Sequence, residues 1–328
     1  MHITILGGGG FLGRKLAQRL VADGALGGRA ISGMTLFDLA APAPLDAPFP
    51  VRTQAGDLGD AVALAIAIPE DTGVIFHLAA VVSAAAEADY DLGVRVNLLG
   101  TLAVVNRCRA LPAAPRAVFP SSVASFGGGQ DARVADDARQ VPTNSYGAQK
   151  AMAELLLADA SRRGFLDAAC IRLPTVVVRP GRPNKAASSF ASAILREPLL
   201  GLATNSPVFP DFRLWICSPR SATGWFLHAA TMDTAPLGLE RGVNPPGMTA
   251  SVAEMLDALE RVAGIEARRL VQIVPDTVVQ DIVRGWPSGF VPDRALALGF
   301  APHESLDEVV RAFVAEDLEA TRAERAPV

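Results

Sequence analysis

Cysteine is scarce in this chain of 328 residues, which has only Cys108, Cys170 and Cys217, far apart from one another. Their number and spacing fit neither a disulfide framework nor a cysteine-based metal site. The four histidines, at positions 2, 77, 228 and 303, show no ligand spacing either. We therefore expect small buried thiols in a reducing cytoplasm, and no bound metal.

Long apolar runs and an excess of one charge are also lacking. No run is long enough to span a bilayer, and a strand-like run starts at residue 2, so we expect neither a membrane segment nor a signal peptide. The net charge is −4 without a basic stripe, which argues against nucleic acid or an anionic membrane as partner. Aromatic residues make up only 6%, whereas the abundant alanine, glycine and valine suit close packing of helices on a sheet.

Strand-like and helix-like segments alternate through the first half of the chain. The predicted strands are residues 2–6, 31–39, 51–55, 74–80, 116–120 and 168–178, the last one bulged or broken at Pro174, which cannot donate to a ladder. This alternation predicts an α/β fold with a Rossmann-type doubly wound parallel sheet over residues 1–178. The pattern then changes, which predicts a smaller C-terminal α/β substrate-binding region over 179–328, with a short return to the first sheet near 220–247.

Helical periodicity and caps predict the intervening elements. The predicted helices are residues 14–22, 59–67, 87–110, 146–163, 221–232, 251–263 and 305–318. Ser251, with Glu254 three residues on, forms a capping-box pattern. The charged tail 319–328 is expected to fray.

A glycine-rich loop follows the first strand directly. Gly7, Gly10 and Gly13 form a Gly-x-x-Gly-x-x-Gly pattern between strand and helix. Glycine lets the backbone turn sharply and approach a pyrophosphate, while the helix N-terminus faces the anion. A flexible turn is the alternative interpretation, but the position straight after a strand favours a dinucleotide loop.

Asp38, at the end of the second predicted strand, indicates which dinucleotide is bound. A carboxylate here would accept hydrogen bonds from the adenosine ribose hydroxyls and repel a 2′-phosphate, which favours NAD. Asp38 could instead be only a turn residue, and Arg14 and Arg29 could in principle serve a 2′-phosphate. Asp57 is placed to bond the adenine amino group, or else to cap the helix 59–67.

Tyr146 and Lys150 are spaced four residues apart on a predicted helix, so they share one face. An ammonium nearby would lower the tyrosine pKa and make it a proton acceptor or donor for a hydroxyl. Many surface helices carry this spacing without any function, so the pattern needs a third polar group. Ser122, at the end of the fifth strand, can supply a hydroxyl, although serine pairs are also routine in turns.

The order of these features resembles the extended short-chain dehydrogenase/reductase family, which includes nucleotide-sugar epimerases and dehydratases. The resemblance implies that Ser122, rather than Ser121, holds the substrate oxygen and that Tyr146 is the catalytic base in oxidation. It implies that Lys150 binds the nicotinamide ribose and lowers the tyrosine pKa. Asn97, unusual within a helix, matches a family asparagine often tied to a water relay. Leu6 and Phe126 depart from the family pattern without removing a catalytic group.

The family resemblance extends the set of candidate NAD contacts. The set combines the glycine loop, the ends of successive strands and the tyrosine helix. Its members are Gly7, Gly10, Phe11, Leu12, Gly13, Asp38, Asp57, Leu58, Leu78, Ala79, Ala80, Asn97, Tyr146, Lys150, Pro174 and Thr175.

Segments 77–93, 172–190 and 213–215 resemble family members that oxidise a four-carbon aldonate at C2 with NAD. Arg179, Arg182 and Arg213 could hold a small acid, since a guanidinium can donate two parallel hydrogen bonds to a carboxylate. We expect only one of the three to reach the carboxylate, and one or two of them could instead form structural ion pairs. The candidate substrate contacts are Ser83, Ser122, Tyr146, Arg179, Asn184, Ser188 and Arg213, and Ser189 offers a further hydroxyl.

Three functions stay open from the sequence. A dehydrogenase of a small hydroxy acid is the favoured one, and an epimerase or dehydratase with tightly bound NAD is the main alternative. A regulatory protein that senses NAD is the third, although an intact Ser122, Tyr146 and Lys150 set argues against it. The family resemblance also implies a homodimer through the predicted helices 87–110 and 146–163.

Overall fold

The structure, a computed structural model, describes residues 1–127, 133–182 and 188–325. A seven-stranded sheet lies at its centre, and all seven strands run parallel. In chain order the strands are β1 (His2–Leu6), β2 (Gly33–Asp38), β3 (Val51–Ala55), β4 (Thr72–His77), β5 (Arg116–Ser122), β6 (Asp167–Leu173) and β7 (Gly242–Val243).

The strand order across the sheet is β3-β2-β1-β4-β5-β6-β7. The chain starts in the middle, winds to one edge, and then crosses back to wind toward the other. This confirms the predicted doubly wound sheet. The direction of winding reverses between β1 and β4, so a crevice opens at the carboxyl ends of these two strands.

The helices are distributed over both faces of this sheet and over the region beyond it. They are α1 (Phe11–Asp23), α2 (Ala61–Ala67), α3 (Ser83–Ala88), α4 (Tyr90–Gly93), a π-helical segment Val94–Leu99, α5 (Gly100–Arg109), α6 (Ser145–Arg162), α7 (Ser189–Leu199), α8 (Pro219–Thr231), α9 (Val252–Ala263), α10 (Ile265–Arg269), α11 (Thr277–Arg284), α12 (Asp293–Ala297), α13 (Leu306–Glu316) and α14 (Leu318–Arg325). Short 3-10 turns span Val123–Ser125 and Ala235–Leu237.

Two apolar layers hold the central sheet between its helices. Ile3 and Ile5 of β1 point toward α1 and α8, where Leu16 and Trp225 are buried. Side chains that alternate with them, such as Leu6, face the layer formed with α2, α5 and α6. Burial on both faces explains why these strands are nearly continuous apolar runs.

Pro174 marks the point at which the chain leaves the central sheet. β6 ends at Leu173, and Thr175–Val176 pairs instead with Arg213–Cys217 in a separate three-stranded sheet completed by Met248–Ser251. The predicted interruption at Pro174 is therefore present. A further core of buried side chains from α7, α9 and α13 covers this second sheet. Three two-stranded pairs complete the topology: Ala25–Leu26 with Arg29–Ala30, Arg133–Val134 with Gly289–Phe290, and Thr204–Ser206 with Val271–Ile273.

One helix prediction and the prediction for the C-terminal tail were wrong. The predicted helix 87–110 is not continuous, because α3 and α4 are offset at Asp89 and a π-helical segment precedes α5. The tail predicted to fray forms α14 as far as Arg325, because Arg325 pairs with the buried Glu197 of α7. Residues 326–328 lie outside the described part of the chain.

Candidate active site

A cleft of about 390 Å³ opens at the carboxyl ends of β1, β4, β5 and β6. It runs from the glycine loop to the segment that follows Pro174. Of the residues chosen from the sequence, fifteen line it: Gly7, Gly10, Phe11, Leu12, Gly13, Leu78, Ala80, Ser83, Ser122, Tyr146, Lys150, Pro174, Thr175, Arg179 and Ser188.

The glycine loop is packed so closely that side chains are excluded from two of its positions. Gly7 has φ +87°, and a Cβ there would lie 2.6 Å from the backbone nitrogen of Ala79. A Cβ on Gly13 would lie 2.2 Å from the Gly7 carbonyl oxygen. Only glycine at position 13 therefore allows the first turn of α1 to pack this close to the loop. Ala79 thus supports the loop from beneath. The result is a Cβ-free backbone cradle in front of the α1 N-terminus, as a pyrophosphate requires.

Asp38 lies beside this loop rather than in the cleft lining. Its carboxylate accepts hydrogen bonds from the backbone N–H of Gly9 at 2.9 Å and of Leu39 at 2.7 Å. The contacts hold the carboxylate at the outer edge of the loop. That position is compatible with a ribose contact, which stays a prediction.

The residues after β3 are also organised around a carboxylate. Asp57 accepts from the Gly59 N–H and forms an ion pair with Arg95 at 3.2 Å. The alternative role of Asp57 as a helix cap was wrong, because the side chain of Asp60 caps α2. Leu58 is buried and faces Gly100.

Tyr146 reaches Ser122 because α6 packs unusually close to the turn after β5. Asn144 caps α6 through the Gly147 N–H at 2.8 Å and lines the cleft itself. A Cβ on Gly147 would lie 1.9 Å from the Ala124 carbonyl oxygen, so glycine is needed for this approach. The Tyr146 hydroxyl lies beside the Ser122 side chain as a result, and Ser122 opposes the rise in the tyrosine pKa.

The electrostatics of Tyr146 differ from the sequence prediction. Burial raises the pKa of Tyr146 to about 12, and the Arg179 guanidinium and the hydrogen bond with Ser122 oppose this shift. The prediction that Lys150 lowers this pKa was wrong for the structure as it stands. The ammonium is 5.7 Å from the centre of the Tyr146 ring and donates to the Pro120 carbonyl at 2.8 Å. Burial in turn lowers the pKa of Lys150 to about 8, although Cys170 and Glu154 oppose that shift.

Asn97 connects three parts of the site without lining the cleft. Its side-chain oxygen accepts from the Val81 N–H at 2.8 Å, and its amide nitrogen donates to the Val81 carbonyl and to Gln149. The segment after β4 is thereby tied to α6, next to Lys150. Asn97 sits in the π-helical segment that interrupts the predicted helix, where such irregularities are frequent near functional sites.

The three candidate arginines occupy very different environments. Arg179 lines the cleft, and its side chain donates to the Val176 carbonyl at 3.0 Å and to Ser188 at 3.4 Å. Arg213 is more than half exposed and faces Glu254 at 3.8 Å, which is the ion-pair alternative foreseen for it. Arg182 is exposed away from the cleft lining. Asn184 lies outside the described residues, and Ser189 does not line the cleft.

One known protein family matches most of this chain. Residues 3–212 match the NAD dependent epimerase/dehydratase family. The chain belongs to this family.

Relatives align along almost the whole chain. A D-erythronate dehydrogenase from Cupriavidus necator is 49% identical, over 96% of this chain and 98% of the relative. A D-erythronate dehydrogenase from Haemophilus influenzae is 40% identical, over 97% and 100%. The solved structure of a nucleoside-diphosphate-sugar epimerase from Agrobacterium tumefaciens is 44% identical and superposes with a TM-score of 0.92, covering 97% of this chain and 95% of that one.

The two dehydrogenase relatives, together with membership in an NAD-dependent family, make the chain an NAD-dependent oxidoreductase, and its architecture fits that cofactor. The Cβ-free cradle formed by Gly7, Gly10 and Gly13 is the element that a dinucleotide needs, and Asp38 stands at its edge. Within the described ranges, no group of three or more His, Cys, Asp or Glu could hold a metal ion. None of the helices described here combines the length and apolarity needed to cross a membrane.

Sequence reasoning missed one large side chain of the cleft. Trp286, just after α11, lines the cleft together with Tyr146 and Arg179. Its segment reaches the site because Phe290 stacks on Trp215 and Thr249 donates to the Ser288 carbonyl. The Gly-Trp-Pro turn was visible in the sequence, but only these distant contacts bring it to the cleft.

Proposed function

We propose that the chain oxidises a small hydroxy acid, D-erythronate or a similar four-carbon aldonate, at C2 to the 2-keto acid. The observation that carries the proposal is Arg179. This half-buried guanidinium lines the same cleft as Tyr146, and it has no carboxylate partner among the ion pairs of the described residues. A partly desolvated cation without a counter-charge is costly, and a carboxylate from the substrate would compensate it. The names of the two bacterial dehydrogenases support the same substrate class.

Each polar group of the cleft has a role in this reaction. The Ser122 hydroxyl holds the oxygen of the substrate hydroxyl, and the Tyr146 phenolic oxygen takes its proton as the carbonyl forms. Lys150 would hold the cofactor ribose and keep a positive charge near the phenolate. Bound NAD would supply the acceptor for the hydride that leaves C2. The charge of Arg179 favours the phenolate as well, because it opposes the burial that raises the tyrosine pKa.

The remaining candidates divide into near and remote groups. Ser83, Thr175 and Ser188 line the cleft and can bond the hydroxyls of an aldonate. Arg213 and Arg182 lie outside the lining, so we do not assign them to the substrate. In this proposal residues 1–178 mainly bind NAD and residues 179–328 mainly shape the substrate end of the cleft.

An epimerase acting on a nucleotide sugar is the second candidate, because the solved structure from Agrobacterium tumefaciens carries that name. Such an enzyme regenerates NAD within each cycle and accumulates no NADH. The two functions therefore differ in net NADH formation. Arg179, at the substrate end of the cleft, suits one carboxylate, which favours the dehydrogenase.

The decisive test measures the oxidation of several aldonates by the wild type and by two arginine variants. Four- and five-carbon aldonates are incubated with enzyme and NAD, and NADH formation is followed by absorbance. We expect net NADH with D-erythronate, and a KM increase of about thirtyfold for Arg179→Gln, the scale of a lost buried charge pair. Arg213→Gln is the matched control and should leave KM unchanged. Unchanged KM in the Arg179 variant would refute the carboxylate assignment.

The predicted homodimer also stays a proposal. α5 with the preceding π-helical segment and α6 expose a row of apolar side chains, namely Leu99, Leu102, Met152 and Leu155. Two such helix pairs from two copies would bury this row in a four-helix interface. Exposed apolar rows of this kind mark association surfaces.

A further inference from the structure

The backbone of Arg179 is fixed on both sides by α7. Its N–H donates to the Ser192 hydroxyl at 3.1 Å, and its carbonyl accepts from the Arg196 guanidinium at 2.8 Å. Both α7 residues are buried, at 2% exposure each. The direction of the Arg179 side chain therefore depends on where Arg196 is held.

A buried chain of charges holds Arg196 in turn. Its guanidinium donates to Glu197 at 2.9 Å, and Glu197 is only 6% exposed. The second cation on this carboxylate comes from far along the chain: Arg325 of α14 contacts both oxygens of Glu197. The same guanidinium donates to the Gly181 carbonyl, two residues after Arg179.

These contacts close a ring around residues 179–181. The ring runs from the Arg179 carbonyl through Arg196, Glu197 and Arg325 to the Gly181 carbonyl. Loss of Arg325 would leave the buried Glu197 carboxylate with one of its two cations. A buried carboxylate with less compensating charge is costly. Arg196 would have to reorient toward Glu197, and the Gly181 carbonyl would lose its donor. Both changes act on the short segment that carries Arg179.

We propose that Arg325 is a positioning residue for Arg179, so that α14 sets how tightly the substrate carboxylate is held. The inference rests on the proposed function, because it takes Arg179 as the carboxylate ligand. Misplacement of a binding group by about an ångström through a remote change can alter a reaction by up to about 10²-fold.

The test separates KM from kcat in four enzymes: wild type, Arg325→Gln, Arg179→Gln and the double variant. We expect Arg325→Gln to raise the KM for the aldonate about fivefold, with kcat and the dissociation constant of NAD nearly unchanged. In the Arg179→Gln background the second substitution should have no further effect on KM. Arg325→Lys keeps the charge and should recover part of the loss.

Arg322→Gln is the matched control, since Arg322 lies on the same helix, is half-exposed and pairs with Glu319. It should leave KM unchanged. If Arg325→Gln does not fold, Arg325→Met, which keeps the apolar stem, replaces it in the same comparison, and failure of both to fold would assign Arg325 to stability and overturn the inference.

The remaining outcomes distinguish the two claims. Additive KM effects of the Arg325 and Arg179 substitutions, an equal loss of kcat, or an unchanged KM in the Arg325 variant would overturn the inference and leave the proposed function standing. An unchanged KM in Arg179→Gln would overturn the proposed function, and the inference with it.

Discussion

Tyr146 is a phenol whose environment opposes its own ionisation. Burial raises its pKa, while Arg179 and Ser122 act in the opposite direction. A group of this kind works as a base only when proton removal is coupled to the reaction. In the proposed reaction, the proton of the substrate hydroxyl therefore passes to the phenolic oxygen at the moment when the carbonyl forms.

Replacement of this phenol gives the first prediction. We expect Tyr146→Phe to cut turnover by at least about a hundredfold, the scale of lost general acid–base catalysis. NAD affinity, measured by calorimetry, should stay nearly unchanged because the ring is retained. The chain has only one other tyrosine, the exposed Tyr90, so Tyr90→Phe is a matched control with full activity. Retained turnover in the Tyr146 variant would refute the assignment of Tyr146 as the general base.

Lys150 gives a prediction on the pH dependence of stability. Burial lowers its pKa from the ordinary 10.5 to about 8, so between these values the unfolded chain binds a proton that the folded chain lacks. The contribution of Lys150 to the unfolding free energy therefore rises with pH across that window and is lowest below it. Lys150→Met removes the titration. We expect the wild type to gain unfolding free energy relative to Lys150→Met between pH 8 and about 10 in urea titrations. An equal difference at both ends of the window would contradict the shift.

At the scale of elements, glycine decides where helices can approach backbone. Gly13 lets α1 start against the Gly7 carbonyl, and Gly147 lets α6 pack on Ala124. The first approach builds the cofactor cradle, and the second joins Tyr146 to Ser122. Both glycines lie inside helices, where glycine costs about 1 kcal/mol relative to alanine.

A pair of glycine substitutions tests this account. Gly13→Ala should weaken NAD binding by at least about tenfold, since overpacking a rigid backbone costs about 1–3 kcal/mol. Gly224→Ala on α8, where a Cβ meets open space, should leave NAD binding unchanged and raise stability by up to about 1 kcal/mol. NAD titration and thermal unfolding measure the two effects. Equal NAD affinity in both variants would refute the cradle.

The sequence predicts elements well where one local rule decides the structure. Strand Val51–Ala55 matches its predicted bounds, and the Ser251 capping box of α9 is formed as the pattern indicates. Pro174 interrupts the sixth strand because it cannot donate to the ladder. Prediction of an element fails where a distant partner decides its structure. Asn97, inside the π-helical segment that interrupts the predicted helix, bonds Val81. Arg325 pairs with Glu197 and orders a tail whose composition alone indicates fraying.

The site shows the same division. Ser122 and the glycine loop follow from motifs at strand ends, and Tyr146 from a motif at the start of a helix, so the fold brings them together. The choice among Arg179, Arg182 and Arg213 could not be made from the sequence, because all three look alike without their surroundings. Trp286 was missed for the same reason.

At the scale of the whole molecule, the exposed apolar row on α5 and α6 gives a prediction about assembly. Leu155, with 70% of its surface exposed, is the most exposed side chain of that row. We expect the wild type to sediment as a dimer and Leu155→Glu as a monomer, because a buried unpaired carboxylate is costly. Leu239→Glu, at an equally exposed leucine outside the row, is the control and should stay dimeric. A dimer that survives Leu155→Glu would exclude this interface.

The cleft joins an NAD cradle at one end to the Arg179 guanidinium at the other, with Tyr146 in the same lining. In the proposed reaction, hydride leaves the carbon next to the carboxylate. The most direct measurement uses D-erythronate deuterated at C2 and follows the mass of the NADH formed. The account predicts NADH heavier by one deuterium, and unlabelled NADH from the substrate deuterated at C3. Label arriving from C3, or interconversion of a nucleotide sugar without net NADH, would contradict it.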